Sequence, residues 1–143
     1  MQHISESISI HATPAAVWSL LTTPDHILKW FVGIESVQAS PDYPAVGSTI
    51  SGSYKVMGIE LKAVQTVQVS EPNSRIHYTL EGIVTGTQRW EIAQSGDGVT
   101  LSMTMDYSMS GGVLGKLAEP AVHQVNLNNA KQSLANIKAM AER

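Results

Sequence analysis

The chain has 143 residues, no cysteine, nine Lys plus Arg against twelve Asp plus Glu, and a formal net charge of −3. That length suits one domain, residues 1–143. The composition excludes a disulfide framework and a Cys-based zinc site, and the absence of clustered basic residues leaves no nucleic-acid footprint.

No apolar run approaches the roughly 18 residues of a membrane span. The opening MQHISESISI lacks the basic region and apolar run of a signal peptide, so the expected location is cytoplasmic. Residues 3–10 alternate: Ile4, Ile8 and Ile10 share a face with Glu6, and serines take the other, which predicts a half-buried strand. Thr13-Pro14 is a helix start, a capping hydroxyl followed by proline where its missing N–H costs nothing. A short helix over 15–21 follows. Thr23-Pro24-Asp25 repeats the signal for a second short helix from His26 to about Phe31. Both carry large apolar residues and read as plugs.

Ile34 to Ala39 reads as a strand and 40–47, with two prolines, as a loop. From Ser48 onward the chain is strands and tight turns. Ile50, Tyr54 and Val56 form one apolar set; Leu61, Ala63, Val67 and Val69 form the next, with Gly58-Ile59 as the turn between. Ile76, Tyr78 and Leu80 share a face, and 82–86 is a turn. Gln88, Trp90 and Ile92 share the following face. Asp97-Gly98 signals another hairpin before Val99, Leu101, Met103, Met105, Tyr107 and Met109. In this register Trp90 stands opposite Tyr78 and Met105, while His77 stands opposite Glu91 on the outer face.

Residues 114–143 read as one long helix with two different halves. Leu127, Ala130, Leu134, Ile137 and Ala141 make one apolar stripe. Continued backwards, that stripe meets Lys116, Pro120 and His123. The first half is apolar on nearly the opposite side, at Leu114, Leu117, Ala118, Ala121, Val122 and Val125. The second half is expected to fill a core and the first to roof a cavity. The architecture is α+β: a curved antiparallel sheet of about six to seven strands wrapped around a long C-terminal helix, with two short helices after strand 1.

The run Ile8-Ser9-Ile10-His11-Ala12-Thr13-Pro14-Ala15-Ala16-Val17-Trp18 resembles the START-like, or helix-grip (SRPBCC), superfamily, in its polyketide cyclase/dehydrase-like branch. So do Thr23-Pro24-Asp25 with Trp30, Gly86 through Trp90-Glu91-Ile92, and Leu134-Ala135-Asn136-Ile137-Lys138. The resemblance spans the whole chain. It implies a deep cavity between sheet and long helix, used in different branches to bind lipids or other apolar ligands, or to hold a polyketide for cyclisation or dehydration. A related branch binds the chaperone Hsp90 and stimulates its ATPase, but no Gly-Trp pair precedes the last helix here.

Tyr54, Tyr78, Trp90 and Tyr107 offer apolar bodies with polar tips, and Met57, Met103, Met105 and Met109 are adaptable, so this set is the candidate ligand surface. Gln88 falls on the same parity, as do Glu6 and Gln65. His123 and Asn126, three residues apart, share a helix side aimed at the sheet, with Glu119 near them. His123, Tyr78 and Tyr107 are the candidate acid–base groups, if any reaction is run. No catalytic motif, metal-ligand spacing or cofactor loop is present, so no metal or cofactor is expected. The expected partner is a small hydrophobic or amphipathic ligand. The apolar side of the first half-helix offers a surface for a partner protein or a homodimer contact.

Overall fold

In the computed structural model the elements run β1 (Gln2–Ile10), α1 (Pro14–Thr22), α2 (Pro24–Trp30), β2 (Ile34–Ala39), β3 (Thr49–Val56), β4 (Ile59–Glu71), β5 (Arg75–Gly82), β6 (Val84–Ser95), β7 (Gly98–Met109) and α3 (Gly112–Ala141). The structure describes residues 1–56, 58–109 and 112–143, and at 56, 59 and 112–119 the backbone alone. Met57 and the side chains of Leu114, Lys116, Leu117, Ala118 and Glu119 therefore lie outside the described set.

The seven strands form one antiparallel sheet in the order β1-β7-β6-β5-β4-β3-β2. Its apolar face is covered by α3, with α1 and α2 packed against α3 and against β6 and β2. This is the helix-grip fold. The Thr13 hydroxyl accepts a hydrogen bond from the Ala16 amide at 3.1 Å and Pro14 sits in the first turn of α1. Thr23 makes no such side-chain bond at α2, so there the proline alone sets the start.

The two halves of α3 do different work. Leu134 and Ile137 are buried in the main core, with Leu127, Ala130 and Ala141 packed against it. This half is also tied down by polar contacts. Ser133 Oγ accepts from the Val32 amide, Asn136 donates to the Trp30 carbonyl, and Lys138 donates to the Ser9 carbonyl. In the first half, Val122 is buried against Leu61, with Val125 and Tyr54 beside them. Val122, which the helical wheel set aside for an outside partner, is thus used inside the fold; Ala121 is exposed. Pro120 lies within the helix, which continues on both sides of it.

Strand faces agree with the sequence parity, but three registers differ by two residues. Val56 pairs with Ile59, so Ile59 already belongs to β4 and Gly58-Ile59 is not the turn. Ser95 pairs with Gly98, placing Gly96-Asp97 in the loop and Trp90 opposite Met103 rather than Met105. Leu80 pairs with Gly86, so Trp90 faces Ile76 and Gln88 faces Tyr78. Each hairpin is centred one residue earlier than the sequence suggested. His77 pairs directly with Arg89, and its contact with Glu91 is a diagonal one at 3.8 Å on the outer face. A bulge between Val67 and Val69 also moves Val69 off the concave face, to the position opposite His77.

Candidate functional site

Between the concave face and α3 lies a cavity of about 110 Å³. It exists because one helix cannot cover a seven-strand curved sheet with core side chains alone. A smaller lobe of about 40 Å³ adjoins it, and Trp30, Gln65, Gln88 and Trp90 border both. The sheet supplies Tyr54, Met103 and Met105, the end of α2 supplies Trp30 and Phe31, and α3 supplies Asn126, Asn129, Ala130 and Ser133. The Trp30 and Trp90 rings meet edge to face at 5.4 Å, and Phe31 stacks on Trp30 at 5.8 Å. Trp30 is fixed in turn by its indole N–H, which donates to the Leu20 carbonyl at 2.7 Å. The wall is therefore rigid on the α2 side and adaptable at the methionines.

Polar atoms enter this apolar space at few points. Gln65 Nε2 donates to Gln88 Oε1 at 2.7 Å. At the smaller lobe the Tyr43 and Tyr78 hydroxyls bond each other at 2.6 Å. Among the described residues that line the two lobes there is no Asp, Glu, Lys, Arg or His. Burial pushes the Tyr54 hydroxyl up to about 12, with the neighbouring Tyr107 adding to the effect. Burial raises Tyr43 to about 12 as well, against the opposing effect of its bond to Tyr78, and holds Tyr78 well above the usual range. The walls are therefore neutral across the physiological range.

These shifts predict an alkaline limit on stability. A tyrosine whose folded pKa is raised is fully stabilising below its unfolded value near 10 and loses that contribution as pH rises toward 12. Each two-unit shift corresponds to about 2–3 kcal/mol. Denaturant midpoints are expected to hold below pH 10 and fall above it, and Tyr54→Phe is expected to flatten the fall. Spectrophotometric titration in which all four tyrosines of the folded protein ionise near pH 10 would contradict this.

The residues singled out from the sequence divide into two groups. Tyr54, Met103, Met105 and Asn126 line the larger lobe, Tyr78 the smaller, and Gln88 and Trp90 both. Tyr107 and His123 line neither. They stand behind the wall, where the fully buried Tyr107 hydroxyl lies 2.9 Å from His123 Nδ1 and accepts from Asn126 Nδ2 at 3.0 Å. The ring centroids of Tyr107 and His123 are 5.9 Å apart. Asn126 thus connects this cluster to the cavity. Glu6 is answered elsewhere, by Lys131 at 3.9 Å.

Sequence reasoning missed Trp30, Phe31, Asn129 and Ser133 as wall residues. The two aromatics read as plugs, although the end of a plug helix must face whatever space it closes. Asn129 and Ser133 stand three and seven residues after Asn126, so extending the polar helix face by two turns finds them.

A family model described as "Polyketide cyclase / dehydrase and lipid transport" matches residues 1–142. No curated protein matches the chain in sequence. Among solved structures, TTHA0849 of Thermus thermophilus is 16% identical at a TM-score of 0.84, over 98% of this chain and 97% of that one. The Zhui aromatase/cyclase of Streptomyces sp. R1128 is 17% identical at a TM-score of 0.84, over 99% of this chain and 94% of that one. The Aha1 dimer of Colwellia psychrerythraea is 19% identical at 0.68, over 99% and 97%. At these identities the likeness shows a shared fold.

Proposed function

The chain belongs to the polyketide cyclase / dehydrase and lipid transport family, and from that premise we propose that it binds a small hydrophobic or amphipathic molecule between the sheet and α3. One observation carries the reading: an apolar space walled by Trp30, Trp90, Tyr54 and two methionines is left unfilled by the core. Its volume is below the roughly 300–1,000 Å³ of pockets for drug-sized molecules. An apolar cavity of about 150 Å³ holds benzene, so the two lobes, of about 110 and 40 Å³, together suit a body of one ring.

Ala130→Leu adds three carbons from the α3 side of the cavity. It is expected to lower the affinity for a small neutral aromatic probe such as phenol at least about tenfold. Stability should stay within about 1 kcal/mol of the parent, because the added group meets space and not packed atoms. Probe displacement and urea titration check the two halves of this expectation. Equal probe uptake by parent and variant places binding elsewhere on the molecule.

A second reading, cofactor-independent cyclisation, dehydration or isomerisation, draws on the convergence of His123 and Asn126 on the Tyr107 hydroxyl. Acid–base work needs such groups within reach of one ligand atom. Only Asn126 of the three borders the cavity, so Tyr107 and His123 do not meet that requirement and this reading has less support than binding. A partner role of the chaperone-activator kind, or a homodimer contact, has less to draw on, since Val122 packs inward.

A further inference from the structure

The Gln65–Gln88 pair is the least expected feature of the concave face. Gln88 is only 7% exposed and occupies a position that a leucine or valine would fill at lower cost. A buried amide whose partners are incomplete keeps its desolvation cost without the bonds that would offset it. The pair makes one internal hydrogen bond, at 2.7 Å. Among the described residues, Gln88 Nε2 and Gln65 Oε1 make no other. Neither is sealed off, for the one sealed side-chain atom without a hydrogen bond among the described residues is His77 Nε2, on the outer face. Both glutamines border both lobes. Amide N–H donors and carbonyl acceptors of the pair thus remain for a ligand where the two halves of the cavity meet.

Resting on the reading of the cavity as a ligand site, we infer that this pair is its recognition element. It takes an uncharged amide-type edge, a lactam or a primary or secondary amide, carried on an apolar body of one ring. A group that carries an acceptor and a donor together answers both kinds of site that the pair offers. The requirement does not depend on how the amides are oriented. If both flip, Gln88 Nε2 donates to Gln65 Oε1, and the pair still presents both N–H donors and carbonyl acceptors. A carboxylic acid shares this pattern only when protonated. As an anion it finds no cation among the described wall residues, and the desolvated charge is strongly disfavoured. The Tyr54 and Tyr78 hydroxyls stay neutral and do not alter that balance.

The test uses the full chain, isotope-labelled, titrated with three probes: 2-pyridone, N-methyl-2-pyridone and benzoate. The first two share a one-ring body and differ in the lactam N–H; the third carries a fixed negative charge. The parent is expected to bind 2-pyridone about tenfold or more tighter than its N-methyl derivative, with benzoate weakest, and the side-chain amide signals of Gln65 and Gln88 are expected to move on binding. Gln88→Leu should erase the difference between the two pyridones while both still bind. Gln65→Met serves the same purpose if that variant does not fold. Equal affinity of the parent for both pyridones overturns the inference and leaves the apolar cavity reading standing. Tightest binding by benzoate overturns the claim of a neutral ligand. Binding by none of the three overturns the inference together with the cavity reading on which it rests.

Discussion

Replacing Gly86 with alanine is expected to lower stability by about 3–5 kcal/mol, among the largest effects of any single methyl group in this chain. Gly86 lies inside β6 at φ 145°, paired with Leu80 on one side and Tyr107 on the other. A Cβ there would fall directly on the Asp106 carbonyl oxygen and press on the backbone of Tyr107. Those are backbone atoms of a paired strand, so they cannot swing aside as a flexible side chain could. The backbone conformation itself disfavours any side chain. A domain of this kind has about 5–15 kcal/mol in total, so the variant should be marginally folded, with a melting temperature lower by about 10–20 °C. Gly96→Ala is the control. Gly96 also has positive φ, 60°, but nothing stands within 4 Å of its added Cβ, so the cost should be near 1 kcal/mol. Urea denaturation followed by circular dichroism separates the two. A Gly86→Ala protein within 1 kcal/mol of the parent would mean that β6 and β7 can move apart locally, and the rigid sheet behind Tyr107 would have to be abandoned.

Gly86 also shows where the sequence stops being informative. It reads naturally as the end of a turn beginning at Gly82, and that reading shifts the β5–β6 register by two residues. The other two hairpins shift by the same amount for a related reason. Alternation has a period of two, so displacing a strand by two residues leaves every side chain on its own face. Tyr54, Tyr78, Trp90 and Met103 are on the concave side in either register, which is why the wall was legible and the pairing was not. Turn chemistry had to decide, and it is ambiguous where several residues tolerate a turn. Ser95-Gly96-Asp97-Gly98 contains two acceptable two-residue loops, and the structure takes Gly96-Asp97.

The helix was legible for a different reason. The change of apolar side along α3 is a sequence fact, and the structure gives described residues on each side a partner. Leu134 and Ile137 enter the core, and Val122 meets Leu61. Depth was not legible. A helical wheel aims His123 at the sheet but does not say how far its ring reaches, and here it stops at the Tyr107 hydroxyl, behind the wall. Asn126, one turn further on, reaches both that hydroxyl and the cavity.

Trp90→Ala is expected to cost about 3–5 kcal/mol and at the same time to enlarge the space for ligand. Trp90 is 5% exposed, stands between Ile76 and Met103 across its neighbouring strands, and meets Trp30 edge to face. Removing a buried indole forfeits its transfer free energy and leaves a hole that the surrounding strands only partly close. Trp90 also borders both lobes, so its loss should enlarge the space that each offers. The hole has the shape of the group removed, which gives the prediction a second readout. Added indole should bind the variant and return part of the lost stability, about 2.7 kcal/mol at a hundredfold excess over its dissociation constant. The parent, whose indole is in place, should gain far less. Thermal denaturation of both proteins across a series of indole concentrations decides the matter. If the variant loses stability but indole returns none of it, the strands have collapsed into the hole. The concave wall would then be too soft to hold an unfilled space on its own, and ligand binding would have to create the cavity that the structure shows already open.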